Sequence, residues 1–253
     1  MFTFSESQLL GWVTPLIWPF LRVLALFSAM PVFGSKNVPE RVRIGLAALI
    51  AFAAQPSLPP VEAVALDSPL ALVLVTQQVL IGIALGFAVR IVFAGVEFAG
   101  ELIGLQMGLN YGGFFDPVSA SNSTAASQFF GSTIAWLFVV INGHLLVIAA
   151  VIQSFTAFPV GPEPFAFLKA TRPELWGAEI FSSGLWIALP LIAMLLFVNL
   201  VMGAISRVAS QLSIFSIGFP ITLGVGLLGI LFTLPAMQSP FTAALERMLA
   251  LFQ

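Results

Sequence analysis

Apolar residues in this chain come in long uninterrupted runs. They show neither the strict alternation of strands nor the narrow stripes of surface helices. Six runs stand out: Leu9–Val32, Ile44–Ala54, from Pro69 to about Phe98, Ala125–Ile152, Leu185–Ile205 and Ile214–Leu234. A bilayer-spanning helix needs about 20 apolar residues. Five runs meet that length, while Ile44–Ala54, preceded by Arg41 and Arg43 and stopped by Pro56, Pro59 and Pro60, falls short. The pattern predicts an all-α, membrane-associated chain. Several of its helices are broken: Pro15 and Pro19 interrupt the first, and a bundle tolerates such breaks where neighbours re-satisfy the freed backbone.

Charges fall where a simple spanning protein does not put them. Arg22 and Arg90 sit inside apolar runs, and Glu97 and Glu101 beside one. A charge at the bilayer centre costs at least ~2.5–3.5 kcal/mol. These four residues are therefore expected to face protein or water and to serve in buried charge pairing, including between subunits. Simple alternation of six spans puts Lys36, Arg41, Arg43, Arg90 and Arg207 on one side and Lys169, Arg172 and Arg247 on the other, a weak bias that fits a hairpin topology poorly.

Glycines recur every fourth residue at Gly100, Gly104 and Gly108, after Gly82 and Gly86. That spacing puts them on one helix face, where backbones approach closely. Such a face serves either packing within the chain or packing around a water-filled axis shared with other subunits. The stretch ends in Asn110, Tyr111, Gly112, Gly113, Phe114, Phe115, Asp116 and Pro117, which holds the only tyrosine. Gly-Gly and Asp-Pro forbid a continuous helix. The segment is either a plain turn or a packed, pore-occluding loop.

Composition narrows the chemistry. Of 253 residues, 59% are hydrophobic and 8% charged, with a mean hydropathy of +1.07; soluble domains carry about 25% charged residues. A formal net charge of −2 excludes a nucleic-acid binder working through a basic field. With no cysteine and one histidine, His144, thiolate chemistry and a histidine metal cage are excluded, so no cofactor is expected. His144 is expected to be buried and hydrogen-bonded. Gly224, Gly226 and Gly229 match GxGxxG, but inside an apolar run with no preceding strand, which is a helix-packing pattern. Met1–Gln8 has no basic residue, so a cleaved signal peptide is not expected.

Several motifs resemble one family. Phe20–Gly34 with Val38–Ala47, Gln106–Gly108 with Phe115–Pro117, Asn142–His144 and Gln211–Pro220 (QLSIFSIGFP) look like signatures of the FliR family, in the family's order and across essentially the whole chain. The resemblance implies a non-enzymatic subunit of the flagellar type III export gate, in the bacterial inner membrane at the flagellar basal body. It implies partners FliP and FliQ in a hetero-oligomer, FlhB, unfolded export substrates and membrane lipid. It also implies a FliP-like region over 1–180 with a plug loop at about 106–123, and a FliQ-like helical hairpin over 181–253. The equivalent subunit of a virulence injectisome is an alternative. A proton-coupled membrane transporter using Glu97 and Glu101 is the rival from another class.

Overall fold

A computed structural model describes residues 6–61, 64, 68–109, 124–208 and 217–253. Among them there are helices and turns and no strand. The helices are α1 (Glu6–Ala29), α2 (Glu40–Ala54), α3 (Pro69–Met107), α4 (Ala125–Val140), α5 (Gly143–Ala157), α6 (Ala166–Thr171), α7 (Gly177–Val208), α8 (Phe219–Thr233) and α9 (Gln238–Ala250).

Local chemistry sets their ends. α3 opens with Pro69 in the first turn, where its missing N–H is not needed, and the Ser68 hydroxyl accepts from the Ala71 N–H at 3.2 Å. It runs 39 residues, about 58 Å, until Gly108 adopts a positive φ of 81° and ends it. The run Ala125–Ile152, expected as one apolar segment, is two helices. Asn142 breaks it in the left-handed region at φ 58°, a conformation asparagine tolerates better than other residues with a Cβ.

Three helical stretches are long and apolar enough to cross a membrane: Pro69–Gln106, Gly177–Val208 and Phe219–Ala250, with the broken α4–α5 pair as a possible fourth. The six apolar runs thus reduce to three or four membrane-capable elements among the described residues. α2, at 15 residues, reaches only about 22 Å against a hydrocarbon core of about 30 Å.

Packing divides the chain into two compact units that interleave in sequence: Met1–Arg90 with Asn142–Trp176 and Leu245–Gln253, and Ile91–Ile141 with Gly177–Ala244. The boundary expected at 180/181 rests on a resemblance and is separate from this division by packing. In the first unit α1 packs on α2, and Trp18, Leu26, Phe27, Met30, Ile81 and Leu85 are fully buried. Its chain end is fastened by Phe252, whose ring meets Trp176 at 5.8 Å and Phe158 at 6.3 Å. In the second unit α7 packs on α8, and Phe93 makes edge contacts with Phe138 at 5.5 Å and Phe241 at 5.6 Å.

Burial differs sharply between the long helices. In its most apolar window α3 is 61% buried by this chain, against 17% for α7 and 22% for α8–α9. Trp186, Phe197, Leu200 and Phe232 stand exposed. So much apolar surface is covered by lipid or by other chains.

Candidate functional site

The sequence offers no catalytic set, so the candidate site is built from the segment 110–123 and the intramembrane charges. Asn110 to Pro117 lie outside the described residues, as do Gln211–Ser216 of the QLSIFSIGFP motif. The structure does describe both stems of the segment.

On the α3 side the stem carries Gly100, Gly104 and Glu101. An added Cβ at Gly100 would stand 2.9 Å from the Ser127 Cα and 3.0 Å from the Ala126 carbonyl oxygen; at Gly104 it would stand 3.0 Å from the Ala126 Cβ. The absence of side chains lets α3 touch the first turn of α4 directly. Gly100 and Gly104 therefore pack within this chain. Gly108, the third member of the ladder, has a different place: it ends α3.

That close approach brings Glu101 to the N-terminus of α4. Its Oε2 accepts from the Thr124 hydroxyl at 2.7 Å and from the Thr124 N–H at 3.2 Å. The Thr124 Oγ1 in turn accepts from the Ser127 N–H at 3.1 Å, capping α4, and the Ser127 hydroxyl donates to the Glu97 carbonyl oxygen at 3.0 Å. A carboxylate over a helix N-terminus also meets the positive end of the helix dipole. The last turns of α3 and the first turn of α4 are thus clamped together. Thr124→Val and Glu101→Gln should each lower stability by about 1 kcal/mol. The double variant should lose less than the sum of the two singles, because the Thr124 hydroxyl–Glu101 contact is shared by both. A thermal unfolding cycle in which the two losses simply add would show that the clamp does not exist.

The other charges are placed as follows. Arg22 is completely buried in α1, as expected for a charge that faces protein. Its Nε donates to the Gln78 Oε1 at 2.8 Å, one terminal nitrogen to the Ser154 hydroxyl at 2.8 Å and the other to the Phe158 carbonyl oxygen at 3.0 Å. The guanidinium carbon stands 3.6 Å from the centroid of the Phe155 ring. These acceptors are neutral and belong to the same unit, and the aromatic face supplies further stabilisation for the cation. Arg90 and Glu97 are exposed, the Glu97 side chain lying beside Gly131 of α4, while Glu101 is half-buried in the clamp.

His144 is half-exposed in the first turn of α5, contrary to the expected buried imidazole, because the break at Asn142 starts a new helix there. In α8 Gly226 meets Met107 and Gly229 meets Met194 and Leu191, as helix packing requires, whereas Gly224 is exposed with nothing within 4 Å of an added Cβ. Sequence reasoning did not find Gln78, Ser154 or Thr124. For Gln78 a signal existed: Gln77 and Gln78 are adjacent amides inside an otherwise apolar helix.

The family model for bacterial export proteins, family 1, matches residues 13–248. The chain is 45% identical over 244 residues to the flagellar biosynthetic protein FliR of Escherichia coli K12, covering 95% of this chain and 92% of the relative. It is 31% identical over 214 residues to FliR of Bacillus subtilis 168, covering 81% and 80%, and 29% identical over 222 residues to FliR of Aquifex aeolicus, covering 87% and 85%.

Proposed function

The chain belongs to bacterial export proteins family 1, among the flagellar biosynthetic proteins FliR, and from that membership we propose that it is a channel-forming, channel-plugging core subunit of the flagellar export gate. In this role it passes unfolded flagellar proteins across the inner membrane at the basal body and catalyses no reaction itself. Its partners are FliP and FliQ in one hetero-oligomer, with FlhB associated. Residues 1–180 form the FliP-like part and 181–253 the FliQ-like hairpin.

The observation that best supports a plug is the clamp at the base of segment 110–123. Glu101 and Thr124, with Gly100 and Gly104, hold both stems together and so provide a fixed anchor of the kind a plug needs. Tyr111, Phe114 and Phe115 supply the bulk to fill a bore, and Gly112 and Gly113 the backbone freedom. Arg90, exposed on α3, fits an acidic partner on an adjoining subunit.

Deleting 111–115 tests the plug. The complex should assemble at wild-type yield and, reconstituted in liposomes, conduct ions where the intact complex is tight. A deletion complex that assembles and stays as tight as wild type would overturn the assignment. Ion-coupled transport by the purified chain alone would favour the transporter instead.

A further inference from the structure

Between α5 and α6 the chain runs through residues 158–163 without helix. This strap has a donor shortage. Pro159 and Pro162, with Pro164 just beyond, carry no N–H, so its carbonyl oxygens outnumber the donors it can offer. Pro159, Pro162 and Glu163 are exposed and Phe158, Val160 and Gly161 half-buried, and the backbone groups turned toward the protein must still be satisfied. The structure answers with side chains. Arg22 donates to the Phe158 carbonyl oxygen at 3.0 Å. The Gln77 Nε2 donates to the carbonyl oxygens of Pro159 at 3.2 Å and Glu163 at 3.4 Å, and the Gln77 Oε1 accepts from the Gly161 N–H at 3.1 Å.

The same Oε1 also accepts from the Gln78 Nε2 at 2.9 Å, and the Gln78 Oε1 accepts from Arg22. Gln77 is 5% exposed, and its amide has all four hydrogen-bonding positions filled. Turning that amide over would set donor against donor at Gly161 and Gln78 and acceptor against acceptor at Pro159 and Glu163. Its orientation is therefore fixed by the network.

We propose that Gln77 is the latch of a separable strap: one side chain on α3 holds 159–163 by three bonds to its backbone, and the Gln78–Arg22 relay orients that side chain from α1. The helices beneath carry their own hydrogen bonds. The strap can thus be released by one side-chain rearrangement, without unfolding α1, α3 or α5.

The test is hydrogen exchange on the chain in its assembled membrane complex. Gln77→Met keeps the volume and removes all the amide's bonds. Exchange at the Gly161 amide, the strap N–H that Gln77 accepts from, should rise about tenfold or more, while α1 and α5 stay within about twofold of wild type. Gln78→Met leaves the three bonds from Gln77 to the strap, so the strap should change by less than about threefold. The chain has no cysteine, so Val160→Cys gives a single thiol whose maleimide labelling should accelerate in the Gln77→Met background. If Gln77→Met does not accumulate, Gln77→Glu removes the donors to Pro159 and Glu163 while keeping the acceptor for Gly161, and faster maleimide labelling of Val160→Cys in that background, with unchanged exchange in α1 and α5, is expected. Unchanged strap exchange, or a rise in α1 and α5 equal to that of the strap, would overturn the proposal.

Discussion

Arg22→Met should leave little folded chain in the membrane fraction and lower the unfolding temperature of what remains. The substitution keeps an apolar stem and removes the donors to the Gln78 Oε1, the Ser154 hydroxyl and the Phe158 carbonyl oxygen. Ser154 still donates to the Val151 carbonyl oxygen at 2.6 Å, so it is left only partly satisfied. Gln78 loses its acceptor's partner in a buried place and Phe158 in a half-buried one, and a buried unsatisfied group costs about 1–3 kcal/mol. With the lost stacking on Phe155, the total is about 3–5 kcal/mol, as when one member of a buried charged cluster is removed. Native proteins have about 5–15 kcal/mol in all.

An apolar replacement can succeed when every member of a buried polar cluster is replaced together. Here that route is closed, because the Phe158 acceptor is backbone. Arg22→Met with Gln78→Met should therefore recover only part of the loss. Arg22→Lys should fall between wild type and Arg22→Met, since a compact ammonium cannot span three acceptors with a planar fork. Abundance by immunoblot and thermal unfolding of the detergent-purified complex decide. Wild-type values for Arg22→Met would show that the network contributes no stability.

The position of Arg22 was legible in the sequence; its partners were not. A lone arginine in an apolar run has to face protein or water rather than lipid, and that much follows from solvation alone. Gln78 and Ser154 lie 56 and 132 residues away and are neutral, so no charge pattern points to them. The helical class was legible too, because apolar runs of this length allow little else. Boundaries were less so. α3 extends past Phe98 to Met107 because Gly100 and Gly104, which lower helix propensity in isolation, are held helical by contact with α4. The break at Asn142 was hidden by apolar residues on both sides, although Asn-Gly is a turn dipeptide. The glycine ladder pointed to close packing without saying against what. Its outward-facing alternative rested on spacing, which is the same whether the partner helix belongs to this chain or another.

Gly82→Ala and Gly86→Ala should each destabilise the chain although alanine is the better helix former. Alanine in a helix interior gains about 1 kcal/mol over glycine. Against that stands the backbone of α1. A Cβ at Gly86 would sit 2.6 Å from the Ala29 Cβ and 2.7 Å from the Leu26 carbonyl oxygen. At Gly82 it would run into the Arg22 carbonyl oxygen and stand 2.8 Å from the Ala25 Cβ. Main-chain atoms and methyl groups cannot swing aside as the end of a long side chain can, so α1 and α3 must separate. Overpacking of this kind costs about 1–3 kcal/mol, which outweighs the propensity gain at the upper end of that range. The separation would also pull Arg22 and Gln78 apart, adding to the loss. Leucine at either position should prevent accumulation altogether. The control is built into the same chain: Gly45 in α2 and Gly224 in α8 have nothing within 4 Å of an added Cβ, so Gly45→Ala and Gly224→Ala should be neutral or stabilising by up to about 1 kcal/mol. Thermal unfolding of the four single variants therefore has to split by sign, with Gly82 and Gly86 below wild type and Gly45 and Gly224 at or above it. Gly82→Ala and Gly86→Ala as stable as the controls would mean that α1 and α3 are not in backbone contact.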